Sequence, residues 1–104
     1  MNPFHWLESA TVKIDASTTS ANAALLKMPT GITQIRLYNS GSVPVFIRKG
    51  TDSTVTGLIS DMPIAPGSVE VLTLNNNPTA PITHVAAITA SGTASLYVTV
   101  GQGL

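Results

Sequence analysis

The chain has 104 residues and a mass of 10.8 kDa, enough for one domain with one core. Five Lys/Arg balance five Asp/Glu; only 10% of residues are charged, 43% are apolar and the mean hydropathy is +0.30. With no basic run longer than Arg48-Lys49, no apolar stretch near the roughly 18 to 20 residues of a membrane span, no secretory leader pattern and no cysteine, the sequence predicts neither a nucleic-acid nor a membrane partner, and excludes a disulfide frame and a thiolate site.

An average soluble domain carries roughly 25% charged residues. A free monomer with so little charge is poorly protected against self-association. The composition therefore predicts a chain whose surface other protein covers.

Residues 1–9 read as an N-terminal aromatic arm. Phe4, His5, Trp6 and Leu7 gather the only tryptophan and one of two phenylalanines ahead of the first alternating run. Aromatic side chains bury much area at small entropic cost, so these four are the predicted contacts to a neighbouring subunit or another partner protein. The competing expectation is that Phe4 and Trp6 fold back and plug one end of their own domain.

Residues 10–100 carry the domain. The run 11–15 alternates Val12 and Ile14 with polar residues, as a half-buried strand does. Residues 22–28 have helix formers but stop at Met28-Pro29, and the residue before proline favours extended geometry, so a strand is expected there. Residues 34–38 and 43–47 alternate on either side of Asn39-Ser40-Gly41-Ser42, which reads as a hairpin with Gly41 at positive φ. Pro44 cannot donate to a ladder, so the second arm is expected to be an edge or irregular.

A short strand is expected at 55–59, followed by a rigid connector at 61–68 whose Pro66-Gly67 pair suits a type II turn. Residues 69–74 are apolar on both faces and read as an interior or covered strand. Residues 84–89 and 95–100 read as a last hairpin across 90–93, and 101–104 as a flexible tail. No helix is expected. The whole is an all-β chain: a β-sandwich or jelly roll of about eight short antiparallel strands, with an immunoglobulin-like order as another possibility and the pairing order left open.

Little in the chain carries chemistry. His5 and His84 have no partner at ligand spacing, and Glu8, Asp15, Asp52, Asp61 and Glu70 fall one per segment. The 24 Ser/Thr residues include no Gly-x-Ser-x-Gly elbow, and Gly101-Gln102-Gly103 has no helix behind it to hold phosphate. Tyr38, Phe46 and Tyr97, with Phe4, supply expected core aromatics, which leaves Trp6 as a thin basis for sugar binding. The expectation is a non-enzymatic protein with no catalytic residues, no metal and no cofactor.

The blocks 35–48, 61–72, 83–88 and 94–99, which run strand, Asn-Ser-Gly turn, strand, Pro-Gly turn, strand, resemble small virion proteins of tailed bacteriophages. The resemblance covers a little over half of the chain and implies a capsid decoration or cement protein. Such a subunit is a homo-oligomer, usually a dimer or trimer. It sits on the outer surface of the head and stabilises contacts between major capsid subunits. The resemblance transfers no site residue. The alternative, from a different class, is a receptor- or glycan-binding head or tail fibre domain.

Overall fold

A computed structural model of the chain describes residues 5–25, 33–74 and 82–102. Among them are eight strands and no helix: β1 (His5–Ala16), β2 (Ala21–Ala24), β3 (Thr33–Asn39), β4 (Val45–Gly50), β5 (Met62–Ile64), β6 (Val69–Thr73), β7 (His84–Ile88) and β8 (Ala94–Gln102). β1 pairs with β8, β2 with β7, β3 with β6 and β4 with β5, all antiparallel, which is the pattern of one long ribbon. The ribbon rolls on itself, so that β8 also pairs with β3 and β7 with β4. The result is two four-stranded sheets, β1-β8-β3-β6 and β2-β7-β4-β5. That is the strand order of a jelly roll. An immunoglobulin-like order would set the first strand beside the second, whereas here they lie in different sheets.

The alternation seen in the sequence builds the core. Ile14, Ile35, Leu37, Leu96, Val98 and Val100 point inward from one sheet and meet Val45, Ile47, Ile64, Val85 and Ala87 from the other. The core is aliphatic. Tyr38, Phe46 and Tyr97 occupy outward registers and are half-buried, which corrects the expectation that they are core residues.

Neither predicted hairpin forms. β3 and β4 lie in different sheets, as do β7 and β8, because residues 40–44 and 89–93 cross between the sheets. The two crossings touch. A Cβ on Gly41 would lie 2.4 Å from Ala94 Cβ and 2.8 Å from its Cα, so Gly41 is required by close approach. Among the described glycines only Gly67 and Gly92 have positive φ. Pro44 precedes the first residue of β4, and β4 is interior; the edge proline is Pro63 in β5. That three-residue strand stands at 62–64, inside the expected connector, while 55–59 is loop. β6 is an edge strand and not a covered one, with Val69 and Val71 41% and 45% exposed.

The chain ends also differ from the arm and tail. His5 pairs with Gln102 and Trp6 with Gly101, so the expected boundary at 9/10 falls inside β1 and that at 100/101 inside β8. Phe4, the part of the expected 22–28 strand from residue 26 on, and residues 103–104 lie outside the described residues.

The Pro66-Gly67 turn forms as expected. Ser68 N–H donates to Ala65 C=O at 3.1 Å and Gly67 has φ 72°. Gly67 N–H also donates to Asn39 C=O at 2.8 Å, while Asn39 N–H donates to Ser68 C=O at 3.2 Å. Two residues thus face one, which is a glycine-type β-bulge at the start of β6.

The Asn39 side chain is fully buried at the same point. Its Nδ2 donates to Val43 C=O at 2.9 Å and to Ile64 C=O at 3.0 Å, and its Oδ1 accepts from Gly41 N–H at 2.9 Å. Asn39→Ala leaves those backbone groups without partners, and a buried unsatisfied group costs about 1–3 kcal/mol. Urea titration is expected to show a loss of about 2–4 kcal/mol for Asn39→Ala and at least as much for Asn39→Asp, which lacks both donors. Gly41→Ala is expected to lose about 1–3 kcal/mol by overpacking against Ala94. Native stability in Asn39→Ala would refute this account of the crossing.

Candidate interaction surface

The two outer faces of the sandwich differ because the 51–61 loop lies over one of them. Ala86 has the outward register of β7, shared with Asn22 and Arg48, yet it is fully buried. Gly57 sits over it, where an added Cβ would be in ordinary contact with Ile88 and the Ala86 backbone, and its N–H donates to Ser20 Oγ at 2.8 Å. Asn22 Nδ2 holds the loop through the Ser53 and Val55 carbonyls. A Cβ on Gly50 would lie 2.4 Å from Val55 Cβ, so the loop also presses on the end of β4.

Asp61 closes that loop. Its Oδ2 accepts from Leu58 N–H at 2.7 Å, and its Oδ1 accepts from Arg48 Nε and Nη2 at 3.1 and 3.0 Å. The Leu58 amide, then the Arg48 guanidinium, holds the Asp61 carboxyl below its ordinary value of 3.8. In the same loop Asp52 accepts from the Thr54 hydroxyl and from Thr54 N–H. Those two bonds, with a smaller contribution from His84, lower its carboxyl as well. His84 itself bonds through Nδ1 to Thr83 Oγ1 at 2.8 Å.

Among the described residues, no loop lies over the outer face of β1-β8-β3-β6. Its rows follow from register. Trp6, Gly101, Gln34 and Thr73 form one, Thr11, Thr99, Arg36 and Val71 the next, and Lys13, Tyr97, Tyr38 and Val69 the third. Thr11 and Thr99 share a hydroxyl hydrogen bond at 2.7 Å, and Tyr38 stacks on Tyr97 with centroids 6.2 Å apart. Lys13 pairs with Asp15 at 3.4 Å in the open. Arg36 has no carboxylate partner among the described residues. Gln34 is buried, donates to Thr73 Oγ1 at 3.3 Å, and leaves its Oε1 without a partner among the described residues.

Trp6 reaches this face because β1 is bulged. Between the Trp6–Gly101 and Thr11–Thr99 pairs, residues 7–10 of β1 oppose only residue 100 of β8, and Ser9 takes φ 56°. The chain bows out and returns at buried Ala10. Trp6 is 66% exposed and, with Thr11, Thr99, Arg36 and Val71, borders a groove of about 490 Å³. The indole therefore does not plug the sandwich.

Of the four predicted contact residues, Trp6 lies on this face, and His5 and Leu7 have strand backbone in β1. Phe4 is outside the described residues. Sequence reasoning missed Val69 and Val71, whose apolar pattern was read as burial. It also missed the Tyr38–Tyr97 stack, which depends on β3 and β8 pairing across the ribbon. A second recess of about 690 Å³ lies at the crossing end, lined by hydroxyls of Ser17, Ser40, Ser42, Thr93 and Ser95 beside Asp15. Among the described residues no three His, Cys, Asp or Glu side chains gather in a metal-binding group.

The Asp61 clamp sets a pH dependence. Because the folded carboxyl titrates below its unfolded value, its stabilisation is complete above about pH 4 and is lost as pH falls through the folded value. In thermal unfolding between about pH 5 and pH 2, Asp61→Asn is expected to start less stable than the native chain and to lose less on acidification. Parallel curves for the two proteins would contradict the clamp.

Compared with known proteins, the chain matches no family model, no curated protein and no solved structure.

Proposed function

We propose that this chain is a non-enzymatic structural virion protein, a capsid decoration or cement protein. It docks on the outer surface of a tailed-phage head and ties major capsid subunits together. The observation that carries the reading is the β1-β8-β3-β6 face, over which no described loop lies, with Trp6 exposed at its rim. The sequence resemblance points the same way. The fold by itself does not, because jelly rolls host many functions.

The chemistry of the face suits protein contact. Trp6, Val69 and Val71 offer apolar area, the tyrosine pair offers a rigid half-polar platform, and the hydroxyls between them bond without a large desolvation cost. Docking need strip water from few ions, since Lys13 and Asp15 already pair and Arg36 is the remaining charge in these rows. Repetition over a shell then turns a modest contact per copy into a large reinforcement.

A second reading, glycan binding by a head or tail fibre domain, draws on one observation. The exposed indole borders a groove that also offers the Thr11 and Thr99 hydroxyls and the Arg36 guanidinium. Stacking with a hydroxyl-bonding rim is how proteins hold sugar rings.

Mixing the purified protein with mature heads separates the two. Under the decoration reading it binds heads and raises the temperature at which they release DNA. Trp6→Ala is expected to weaken that binding about tenfold or more while leaving the unfolding temperature of the free protein unchanged. No binding to heads overturns the proposal, and glycan-array binding lost in Trp6→Ala would put the second reading in its place.

A further inference from the structure

A sandwich has four edge strands, and three of these are protected against pairing with another chain. β1 carries the bulge at residues 7–10 and Lys13. β5 is three residues long with Pro63 at its centre. β2 is four residues long, with the 53–55 carbonyls tied against it by Asn22. Short length, bulges, lysine, proline and loop cover are the devices by which natural sheets blunt their edges.

β6 is the least protected of the four: its bulge lies at residues 67–68, before the strand begins, Glu70 is its one charge, and among the described residues it has no lysine, no proline and no loop over its edge. Its sequence Val-Glu-Val-Leu-Thr is rich in strand formers, and its two valines are 41% and 45% exposed. The bulge at its start sets which backbone groups are free. Asn39 and Ser68 form a hydrogen-bonded pair, so by the antiparallel alternation Glu70 and Leu72 turn their polar groups to β3. Val69, Val71 and Thr73 turn theirs away from the sheet, toward solvent.

We infer that the β6 edge pairs with β6 of a second copy of this chain, antiparallel about a two-fold axis through Val71. Register selects that partner. A two-fold antiparallel pair must keep residues of one face opposite residues of the same face, so the centre falls on a residue. Centred on Glu70, the pairing opposes two carboxylates. Centred on Val69 or Leu72, it leaves part of β6 unpaired. Centred on Val71, it pairs all five residues: Val71 with Val71, Val69 with Thr73, and Glu70 with Leu72. No like charges meet, and each outward-turned N–H and C=O finds a partner. The strand is complementary to itself.

The product is one continuous eight-stranded sheet with both uncovered faces on the same side. This inference goes beyond the decoration reading and does not depend on it, because its readout is self-association in the absence of any shell.

The test is sedimentation velocity across a concentration series, with Val71→Pro as the disrupting variant. The Val71 N–H faces away from β3, so proline there removes no bond of the β3–β6 ladder and is tolerated as edge prolines are. The native chain is expected to dimerise with concentration, and Val71→Pro to weaken the dimer at least tenfold with an unchanged circular dichroism spectrum. A second arm stands even where the proline variant fails to fold. The chain has no cysteine, and a hydrogen-bonded antiparallel pair sets Cα atoms about 5.5 Å apart, within disulfide reach. Val71→Cys is therefore expected to oxidise to a covalent dimer, and Thr11→Cys, on the bulged strand, to remain monomeric on denaturing gels. A chain that stays monomeric to about millimolar concentration, a trimer, self-association untouched by Val71→Pro, or equal cross-linking at positions 11 and 71 overturns the inference.

Discussion

The carboxamide of Asn39 holds the point where the ribbon changes sheets. Rolling an eight-strand ribbon into two layers takes β3 into β4 and β5 into β6 at the same end of the sandwich, and each crossing strands backbone groups away from any ladder. Val43 C=O, Ile64 C=O and Gly41 N–H are such groups, and one side chain serves all three. Only an amide offers two donors and an acceptor on so short a stem. Its own backbone is tied to the Gly67-Ser68 bulge, so the position of β6 follows from the same residue. The crossing cannot loosen at one strand without releasing the others.

From that knot the two outer faces diverge. The β4–β5 connection is long enough to return over β2-β7-β4-β5, where the Arg48–Asp61 pair and the Leu58 amide fasten it. The β5–β6 connection is a four-residue turn and covers nothing. Of these two connections, only the longer one reaches over a face. The charges follow the same division: Arg48 is engaged within the loop, whereas Arg36 stands on the open face between Thr99 and Val71. A chain with few ions has placed one pair where it fixes a loop and left little charge where a partner would have to displace water.

Alternation was readable because a half-buried strand must repeat every two residues, and β1, β3 and β4 announce themselves in this way. Pairing was not readable, because local turn chemistry reports how the chain bends and not which sheet it enters next. Asn39-Ser40-Gly41-Ser42 carries the residues of a hairpin, yet its asparagine is an internal ligand for two carbonyls and its glycine a spacer against Ala94. β5 escaped notice because three residues around a proline have no period to detect. Val69 and Val71 misled for a related reason: an apolar strand is covered if interior and sticky if at the edge, and composition does not distinguish the two. Trp6 was legible as an aromatic ahead of the first alternating run, with a partner contact and a plug of its own sandwich both open. Its attachment to the sheet through Gly101 was not, since that contact joins the two ends of the chain.

An open face with an exposed indole and a lightly protected edge are each a liability for a free monomer. Here they lie on the same sheet at opposite sides, Trp6 on β1 and Val71 on β6. Pairing through β6 would remove the edge and leave the face exposed. It would also set the two Trp6 side chains at the outer rims of an eight-stranded sheet, on one side of it. Seven strand spacings of roughly 4.8 Å, with Trp6 two residues along the strand from the Val71 axis in each copy, put them about 35 Å apart. Two such rims held rigidly at fixed spacing match a surface that repeats, because the second contact forms at high effective concentration only where the lattice offers a site at that distance. The low charge that leaves the monomer vulnerable is then the same property that lets each rim seat without stripping water from many ions.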